Sequence, residues 1–316
     1  ELAARWWPVA VALGGAGDAP EEGDAGLGED RLPDLVALED VVGEVDRERT
    51  RRRWARSSGG AGLEAVLGVC ERGAVRVDLV RAGPHALMAG TTGAGKSELL
   101  TSWLLQLALA LPPQRLSFVL VDYKGGAAFG ALTDLPHTAG LLTDLDPALT
   151  TRALTSLEAE VGRRERLLAE YGAKDLSCLE AGAAPARLVI AVDEFAALAS
   201  AHPEVLEGLM RVAAQGRSLG IHLILATQRP AGAVSPAIRA NTAVRVCLRV
   251  LDAADSVDVV GCDEAVRLGP RPGRLVVRGV EGAEHVALQA PWCGDGAQVA
   301  GIVAELGAAA AGLGRP

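Results

Sequence analysis

Eight consecutive residues of this 316-residue chain have the types and spacing of a phosphate cradle: Gly90-Thr91-Thr92-Gly93-Ala94-Gly95-Lys96-Ser97 fits G-x-x-x-x-G-K-[ST] in full. Glycines let the backbone curl so that successive N–H groups converge on one phosphate. The N-terminus of a following helix adds partial positive charge there. Lys96 has the reach for the β- and γ-phosphates of a nucleotide such as ATP, and the Ser97 hydroxyl is suited to bind Mg2+. The lysine itself is informative, because the chain has 28 arginines and only three lysines: Lys96, Lys124 and Lys174. A slim ammonium fits among converging amides where a broad guanidinium does not.

Such a cradle needs a carboxylate at the end of a buried strand. The apolar run 188–192 ends in Asp193-Glu194, where Asp193 would hold Mg2+ through water and Glu194 would polarise an attacking water. The plainer reading is an acidic helix start. The run 221–226 ends in Thr227-Gln228-Arg229-Pro230. Ligands of parallel sheets lie at the carboxyl ends of the strands, so Gln228 falls beside the γ-phosphate and could orient water. Arg217 closes a helical pattern over 203–218. A terminal arginine ordinarily caps the helix dipole. This one leaves the sheet at the end opposite its own nucleotide, which fits an arginine finger for a neighbouring subunit. Arg163, Arg164 and Arg239 compete for that role.

The elements that must position these groups are legible as an alternation. Short apolar runs at 86–89, 116–121, 139–142, 188–192, 221–226 and 244–250 read as buried strands. Helical patterns at 96–111, 147–171, 203–218 and 252–260 lie between most of them. The class is α/β, with a mostly parallel sheet and helices on both faces. Two apolar strands separate the cradle from Asp193, which favours the P-loop class with a strand inserted between the two motifs. Ahead of this core, runs at 67–70 and 75–79 flank Glu71-Arg72-Gly73 and predict a hairpin. Residues 1–60 read as a helical lead-in and linker: an amphipathic scrap at 3–13, a Gly/Asp/Glu-rich stretch at 14–30, a helical pattern on Leu35, Leu38, Val41 and Val42, and an arginine cluster. The cluster, Arg47, Arg49, Arg51, Arg52, Arg53 and Arg56, is either a solvated helix face or a patch for phosphates or an acidic partner. Residues 61–295 form the main domain, and 296–316 a C-terminal helix whose Ala/Gly-rich end from 307 is expected to fray.

Composition sets the limits. Hydrophobic residues make up 49% of the chain and mean hydropathy is +0.23, which excludes a disordered chain. With aromatics at 3%, the core must be Leu, Val and Ala. A net charge of −9 excludes a generally basic nucleic-acid binder. The five dispersed cysteines read as reduced buried thiols, and the five histidines, without metal-ligand spacing, as structural. No run is long and apolar enough to span a bilayer. The first residue is Glu1, and the chain is expected to be a segment of a longer protein whose membrane span, if any, lies outside it.

These residues resemble the FtsK/SpoIIIE-type motor ATPases. The resemblance rests on Pro84-His85-Ala86-Leu87 through Ser97-Glu98, Val121-Asp122-Tyr123-Lys124-Gly125-Gly126-Ala127-Ala128-Phe129, Leu135-Pro136-His137, Val192-Asp193-Glu194-Phe195, Gly216-Arg217-Ser218-Leu219-Gly220 through Arg229-Pro230, and Ile238-Arg239-Ala240-Asn241. It implies a RecA-like core, ATP with Mg2+, and head-to-tail assembly of like subunits or neighbouring ATPase domains in a ring, often hexameric. It also implies that Arg217 acts in trans. The family's DNA translocases carry Asp-Pro-Lys after the second core strand and usually a winged-helix reader. Here Asp122-Tyr123-Lys124-Gly125-Gly126 stands instead, and no reader-sized segment follows residue 290. The Tyr-Lys-Gly-Gly form is similar to ATPases of type VII secretion systems, whereas Ala226-Thr227-Gln228-Arg229-Pro230 looks like the DNA-motor version. The resemblance therefore implies a cytoplasmic domain of a membrane-associated motor moving a secreted polypeptide. The alternatives are a double-stranded DNA translocase and a nucleotide-gated assembly module with little turnover.

Overall fold

The computed structural model describes residues 31–57, 62–123, 128–143, 147–180 and 182–313. The lead-in readings over 3–13 and 14–30, and Lys124-Gly125-Gly126 of the motif after the second core strand, lie outside the described residues.

The strongest apolar runs become the centre of one ten-stranded sheet. Strands β4 (His85–Ala89), β7 (Arg187–Asp193) and β8 (Ile221–Thr227) are buried at every residue. Burial at consecutive positions requires cover on both faces. With β5 (Leu116–Asp122), β6 (Thr138–Thr143) and β9 (Val244–Leu248) they form the parallel part, in the order β9-β4-β8-β7-β5-β6. Strand β8 sits between the cradle strand β4 and the Asp193 strand β7, as the motif spacing predicts.

Helices start and stop where capping chemistry dictates. Helix α6 (Pro203–Leu219) has proline in its first turn and ends at Gly220 in the left-handed conformation, φ 62°. Helix α8 (Ala253–Val260) begins at Asp252, whose carboxylate accepts from the Ala254 N–H at 2.9 Å. Helix α3 (Lys96–Ala110), directly after the cradle, is apolar on nearly all sides and buried accordingly. The long α4 (Pro147–Tyr171) and the short α5 (Phe195–Ala201) complete the predicted alternation.

The structure departs from the sequence reading at both ends of the chain. The hairpin, β2 (Glu64–Cys70) and β3 (Gly73–Asp78), is not a separate prelude. It joins the central sheet through two strands absent from the sequence reading, β10 (Arg274–Arg278) and β11 (Ala287–Gln289), giving the antiparallel order β3-β2-β11-β10 beside β9. The lead-in forms a two-residue strand β1 (Val36–Ala37), which pairs in parallel with β12 (Pro291–Trp292), and then helix α1 (Leu38–Val42). Helix α10 (Gly296–Ala310) continues into the first part of the stretch expected to fray, through Ala310. Ala309 is fully buried, and Arg51 of α2 (Arg47–Arg56) donates to the Ala309 and Ala311 carbonyls at 2.9 Å each. The arginine cluster stays on the surface, with Arg47, Arg49, Arg51, Arg52 and Arg56 exposed and Arg53 half-buried, but several of its guanidinium groups have partners within the chain. Arg49 pairs with Glu44 at 2.8 Å, Arg52 with Glu48, and Arg53 donates to the Val42 carbonyl. Two further short helices, α7 (Pro236–Asn241) and α9 (Glu264–Arg267), flank α8 in sequence.

Three buried histidines tie this frame together through backbone groups. His85 accepts from the Leu223 N–H at 3.0 Å through Nδ1 and lies 2.8 Å from the Ala213 carbonyl through Nε2. His137 Nε2 meets the Leu111 carbonyl at 2.8 Å, and His222 Nδ1 the Pro84 carbonyl at 3.1 Å. Burial pushes the pKa of His137 down to about 4. Burial, with the nearby Arg187, pushes that of His222 to about 3. Both rings bind protons more readily when unfolded, so stability is complete above the unfolded value near 6.5 and falls as pH drops below it. The expected slope is about 1.4 kcal/mol per pH unit for each ring, flattening near pH 4 for His137 and near pH 3 for His222. Urea midpoints between pH 7 and pH 5 check this. The His137→Gln and His222→Gln variants should each show a shallower pH slope than the parent, and an unchanged slope would refute the assignment.

Candidate active site

The loop after β4 is pinned at its edges and open at its centre. The Gly90 N–H donates to the Thr227 carbonyl at 3.3 Å, and the Thr91 N–H and hydroxyl both reach the Arg249 carbonyl at 3.0 Å. The Ala94 N–H closes a turn onto Thr91 at 3.1 Å, and the first bond of α3 runs from the Leu99 N–H to the Gly95 carbonyl at 2.9 Å. The N–H groups of Gly93, Gly95, Lys96 and Ser97 make no hydrogen bond among the described residues. Unpaired donors at a helix N-terminus are an anion site. Gly95 has φ 96°, and a Cβ there would lie 2.6 Å from the Gly273 nitrogen. Only glycine meets both conditions. Gly273 in turn donates to the Ala94 carbonyl at 2.8 Å and accepts from the Ala290 N–H at 2.8 Å. The loop before β10 and the start of β12 are thereby fastened to the cradle.

Strand register delivers the acids. Asp122 and Asp193 are direct neighbours at the carboxyl ends of β5 and β7. The Asp193 carboxylate forms a buried ion pair with Lys96, the two side chains being 8% and 3% exposed. Asp122 accepts from the Ala128 N–H at 2.9 Å. Glu194 adopts a left-handed backbone, φ 58° and ψ 50°, a conformation that costs a non-glycine residue about 1–3 kcal/mol and concentrates at functional sites. Its carboxylate accepts from the Thr227 hydroxyl at 2.9 Å and from the Gln228 N–H at 3.3 Å. Gln228 accepts through its side chain from the Thr92 hydroxyl at 2.9 Å.

Lys96, Ser97 and Gln228 line a cavity of about 720 Å³, and Asp193 and Glu194 stand directly behind it, bonded to Lys96 and to the Gln228 N–H. This donor set fits a nucleotide with Mg2+: unpaired N–H groups for phosphate oxygens, and the Ser97 hydroxyl with the Asp193 carboxylate for the cation. Arg217 is not brought to this cavity. It is exposed, without a hydrogen bond or ion pair among the described residues, and follows Gly216, which abuts Ile221 and His85 at the opposite end of the strands. Its competitors are engaged: Arg163 grips Glu160 at 2.7 Å, Arg164 is buried against Glu160 and the Leu219 and Ala186 carbonyls at 2.7 Å each, and Arg239 pairs with Asp258 at 3.2 Å. The cysteines are free thiols, and no cluster of His, Cys, Asp and Glu suited to a metal stands among the described residues. No helix among them is long and apolar enough to cross a membrane.

Sequence reasoning missed Asp122, Thr227 and the far wall of the cavity. Asp122 carried the same signal as Asp193, an acid closing an apolar run. Thr227 carried none beyond its place at a strand end. The far wall, Asp34, Leu35, Arg271, Gln289 and Trp292, is assembled from both ends of the chain. An Arg271–Asp34 ion pair holds its two parts together.

The model of the FtsK/SpoIIIE family matches residues 45–232. The type VII secretion system protein EssC of Staphylococcus aureus is 35% identical over 275 residues, 83% of this chain and 18% of that protein. The chain thus spans about a fifth of the length of that relative. The cytoplasmic domain of the Thermomonospora curvata type VII secretion ATPase EccC superposes with a TM-score of 0.77 at 28% identity, over 86% of this chain and 34% of the other. A second structure, ATPases 2 and 3 of the same EccC in complex with a signal sequence peptide, gives 0.69 at 25% identity, over 80% and 48%.

The buried Lys96–Asp193 pair has a measurable consequence in nucleotide-free protein. Asp193→Asn leaves an ammonium buried without a counter-charge and should lower stability by about 3 kcal/mol. The double variant Lys96→Met/Asp193→Asn should recover most of that loss. Urea unfolding at constant m-value reads both; equal destabilisation of the single and double variants would deny the pair this role.

Proposed function

The chain belongs to the FtsK/SpoIIIE family, and from that membership we propose that it binds ATP with Mg2+ at the cradle and hydrolyses it to drive movement of a polypeptide through a ring of like subunits or neighbouring ATPase domains. The observation carrying this is the convergence, at the carboxyl ends of β4, β7 and β8, of unpaired N–H groups, Lys96 and the Asp193-Glu194 pair. Residues 90–97 would wrap the phosphates. Ser97 and Asp193 would hold Mg2+, which would supply charge that neutralises the phosphates. Lys96 exchanges Asp193 for phosphate oxygen. Glu194 polarises the attacking water, and Gln228, already tied to the cradle through Thr92, orients it. Arg217 lies far from its own cavity and is free to enter a neighbour's, where a trans arginine stabilises transition-state charge. Residues 61–295 form the ATPase unit, and the lead-in completes its cavity.

The polypeptide substrate is supported by the similarity to EssC and EccC, whose names place them in type VII secretion, and by the signal sequence peptide bound in the EccC complex. By the same similarity we place the chain in a cytoplasmic domain of a membrane-associated, multi-ATPase protein, with any membrane contact made by segments outside this chain. In the arginine cluster, Arg49 and Arg52 are paired with Glu44 and Glu48, which offsets part of the charge this exposed helix would offer to duplex DNA.

Calorimetry and turnover assays test the assignments. Lys96→Ala should abolish ATP binding. Glu194→Gln should bind ATP and lose hydrolysis by about a hundredfold or more, the scale of general-base catalysis. Arg217→Ala should bind ATP normally and lose only the part of the activity that rises with protein concentration; a lower rate in dilute monomer would defeat the trans role. Duplex DNA at low salt should not bind, whereas steeply salt-dependent binding would favour a DNA pump. ATP binding with no turnover at any concentration would favour the assembly module.

A further inference from the structure

Like charges crowd both ends of strand β9. At its amino end, Arg245 stands directly opposite Arg278 of β10. Side chains opposite one another in an antiparallel pair have Cβ atoms about 5 Å apart, and like charges there are destabilising. Arg245 donates to the Thr242 carbonyl at 3.0 Å and to the Arg239 carbonyl at 2.6 Å, and Arg278 donates to the Val260 carbonyl at 3.4 Å. Carbonyls satisfy N–H groups but bring no counter-charge, and neither guanidinium forms an ion pair among the described residues. Arg239 adds a third cation beside them, and Asp258 is already its partner at 3.2 Å. Burial, then Arg278 and Arg239, hold the Arg245 pKa below the usual arginine value.

The other end of β9 is the reverse in sign. The chain leaves the strand through Leu251, at 73% the most exposed large apolar side chain among the described residues, and enters α8 with Asp252 at its N-cap and Asp255 in its first turn. Asp252 caps the Ala254 N–H and Asp255 accepts from the Ala231 N–H, but neither has a cationic partner among the described residues. Burial, then Asp252 and Asp258, push the Asp255 pKa up. The two ends are in line with the frame of the cradle. Strands β8, β4 and β9 run parallel as neighbours, so the arginine pair shares the amino-end edge of the sheet with Arg217, which stands just before β8. Leu251 comes two residues after Arg249, whose carbonyl holds Thr91 of the cradle. A second copy displaced along the strand direction would present Arg217 to the cradle and its arginine pair to the acidic corner in one approach.

We propose that Arg245 and Arg278 of one copy dock on the Leu251, Asp252 and Asp255 corner of the next, so that each crowded charge pair gains the opposite charge it lacks within its own chain. The contact is heterologous, head to tail. The proposal rests on the reading that this chain works beside like subunits, and it names the two faces that meet.

Sedimentation velocity on the full chain at low and high salt tests this, with ATP binding measured by calorimetry on the same samples. The parent should self-associate at low salt and less so as salt rises. Arg278→Glu and Leu251→Lys each set like charges across the contact, and each should weaken association about tenfold. Arg72→Glu makes the same change of charge in the exposed hairpin turn at the far edge of the sheet, and should leave association within about twofold of the parent. An equal mixture of the Arg278→Glu and Leu251→Lys chains should restore association, because every junction between alternating copies then joins opposite charges. A parent that stays monomeric at low salt, variants no weaker than Arg72→Glu, or a mixture no stronger than its components would each overturn the docking faces. Sedimentation alone decides the docking faces and calorimetry alone decides the cradle reading, so the two fail separately.

Discussion

Unpaired positive potential in a buried place is the constraint that the rest of this structure answers. The cradle collects N–H groups that the backbone cannot satisfy, and Lys96 brings a side chain that is nearly sealed from water. Folding must supply a counter-charge, and the register of β5 with β7 brings two carboxylates to that edge, Asp122 beside Asp193. Neighbouring carboxylates repel unless a cation or donors stand with them. Lys96 serves Asp193, and the Ala128 N–H serves Asp122. The arrangement is self-consistent without phosphate and is also poised for it. An arriving triphosphate offers Lys96 a competing anion and the N–H groups their missing acceptors, releasing the Asp193 carboxylate at the place where a divalent cation would need it.

The second feature that binding must reckon with is Glu194. Its left-handed backbone holds the side chain against β8, and the contacts run on in sequence: Glu194 to Thr227 and Gln228, Gln228 to Thr92 of the cradle. The groups proposed to handle water are thus bonded to one another and to the phosphate loop. Strand β8 connects this cluster to the other end of the sheet. It begins immediately after Gly220, the cap of the helix that carries Arg217. One buried seven-residue strand therefore has the groups proposed to handle water at its carboxyl end and the arginine proposed to serve a neighbour at its amino end. A head-to-tail contact between copies would bring those two ends together.

What could be read from sequence follows the range of the forces involved. The cradle, Asp193-Glu194 and Gln228 were legible because each is local: a turn with fixed glycines, or a polar group closing an apolar run. Strands β4, β7 and β8 were legible because burial on both faces writes a continuous apolar word; β6, read as buried, is an edge strand with no buried residue. Strands β10 and β11 were not, because three to five residues between turns acquire their identity from partners far along the chain, Val246 opposite Val277 and Val69 opposite Gln289. The helical state of 307–310 was not legible for a related reason. Alanine and glycine at the end of α10 suggest fraying, but Arg51, more than 250 positions earlier, supplies the capping donors.

The far wall of the cavity shows how the two ends of the chain depend on each other. A two-residue strand such as β1 has too few bonds to persist alone. It is held because Val36 and Ala37 pair with Pro291 and Trp292, because Asp34 meets Arg271, and because α2 and α10 are joined by Arg51 and by the Arg47 N–H on Glu305 at 2.8 Å. Leu35 and Trp292 become walls of one cavity only when these contacts are made. A ligand bound between them makes its contacts to this wall only in the docked arrangement, so those contacts favour docking. Occupancy by the proposed nucleotide and the seating of the lead-in would therefore be thermodynamically linked: what unseats the wall would weaken the nucleotide, and what fills the cavity would resist unseating by the same coupling free energy.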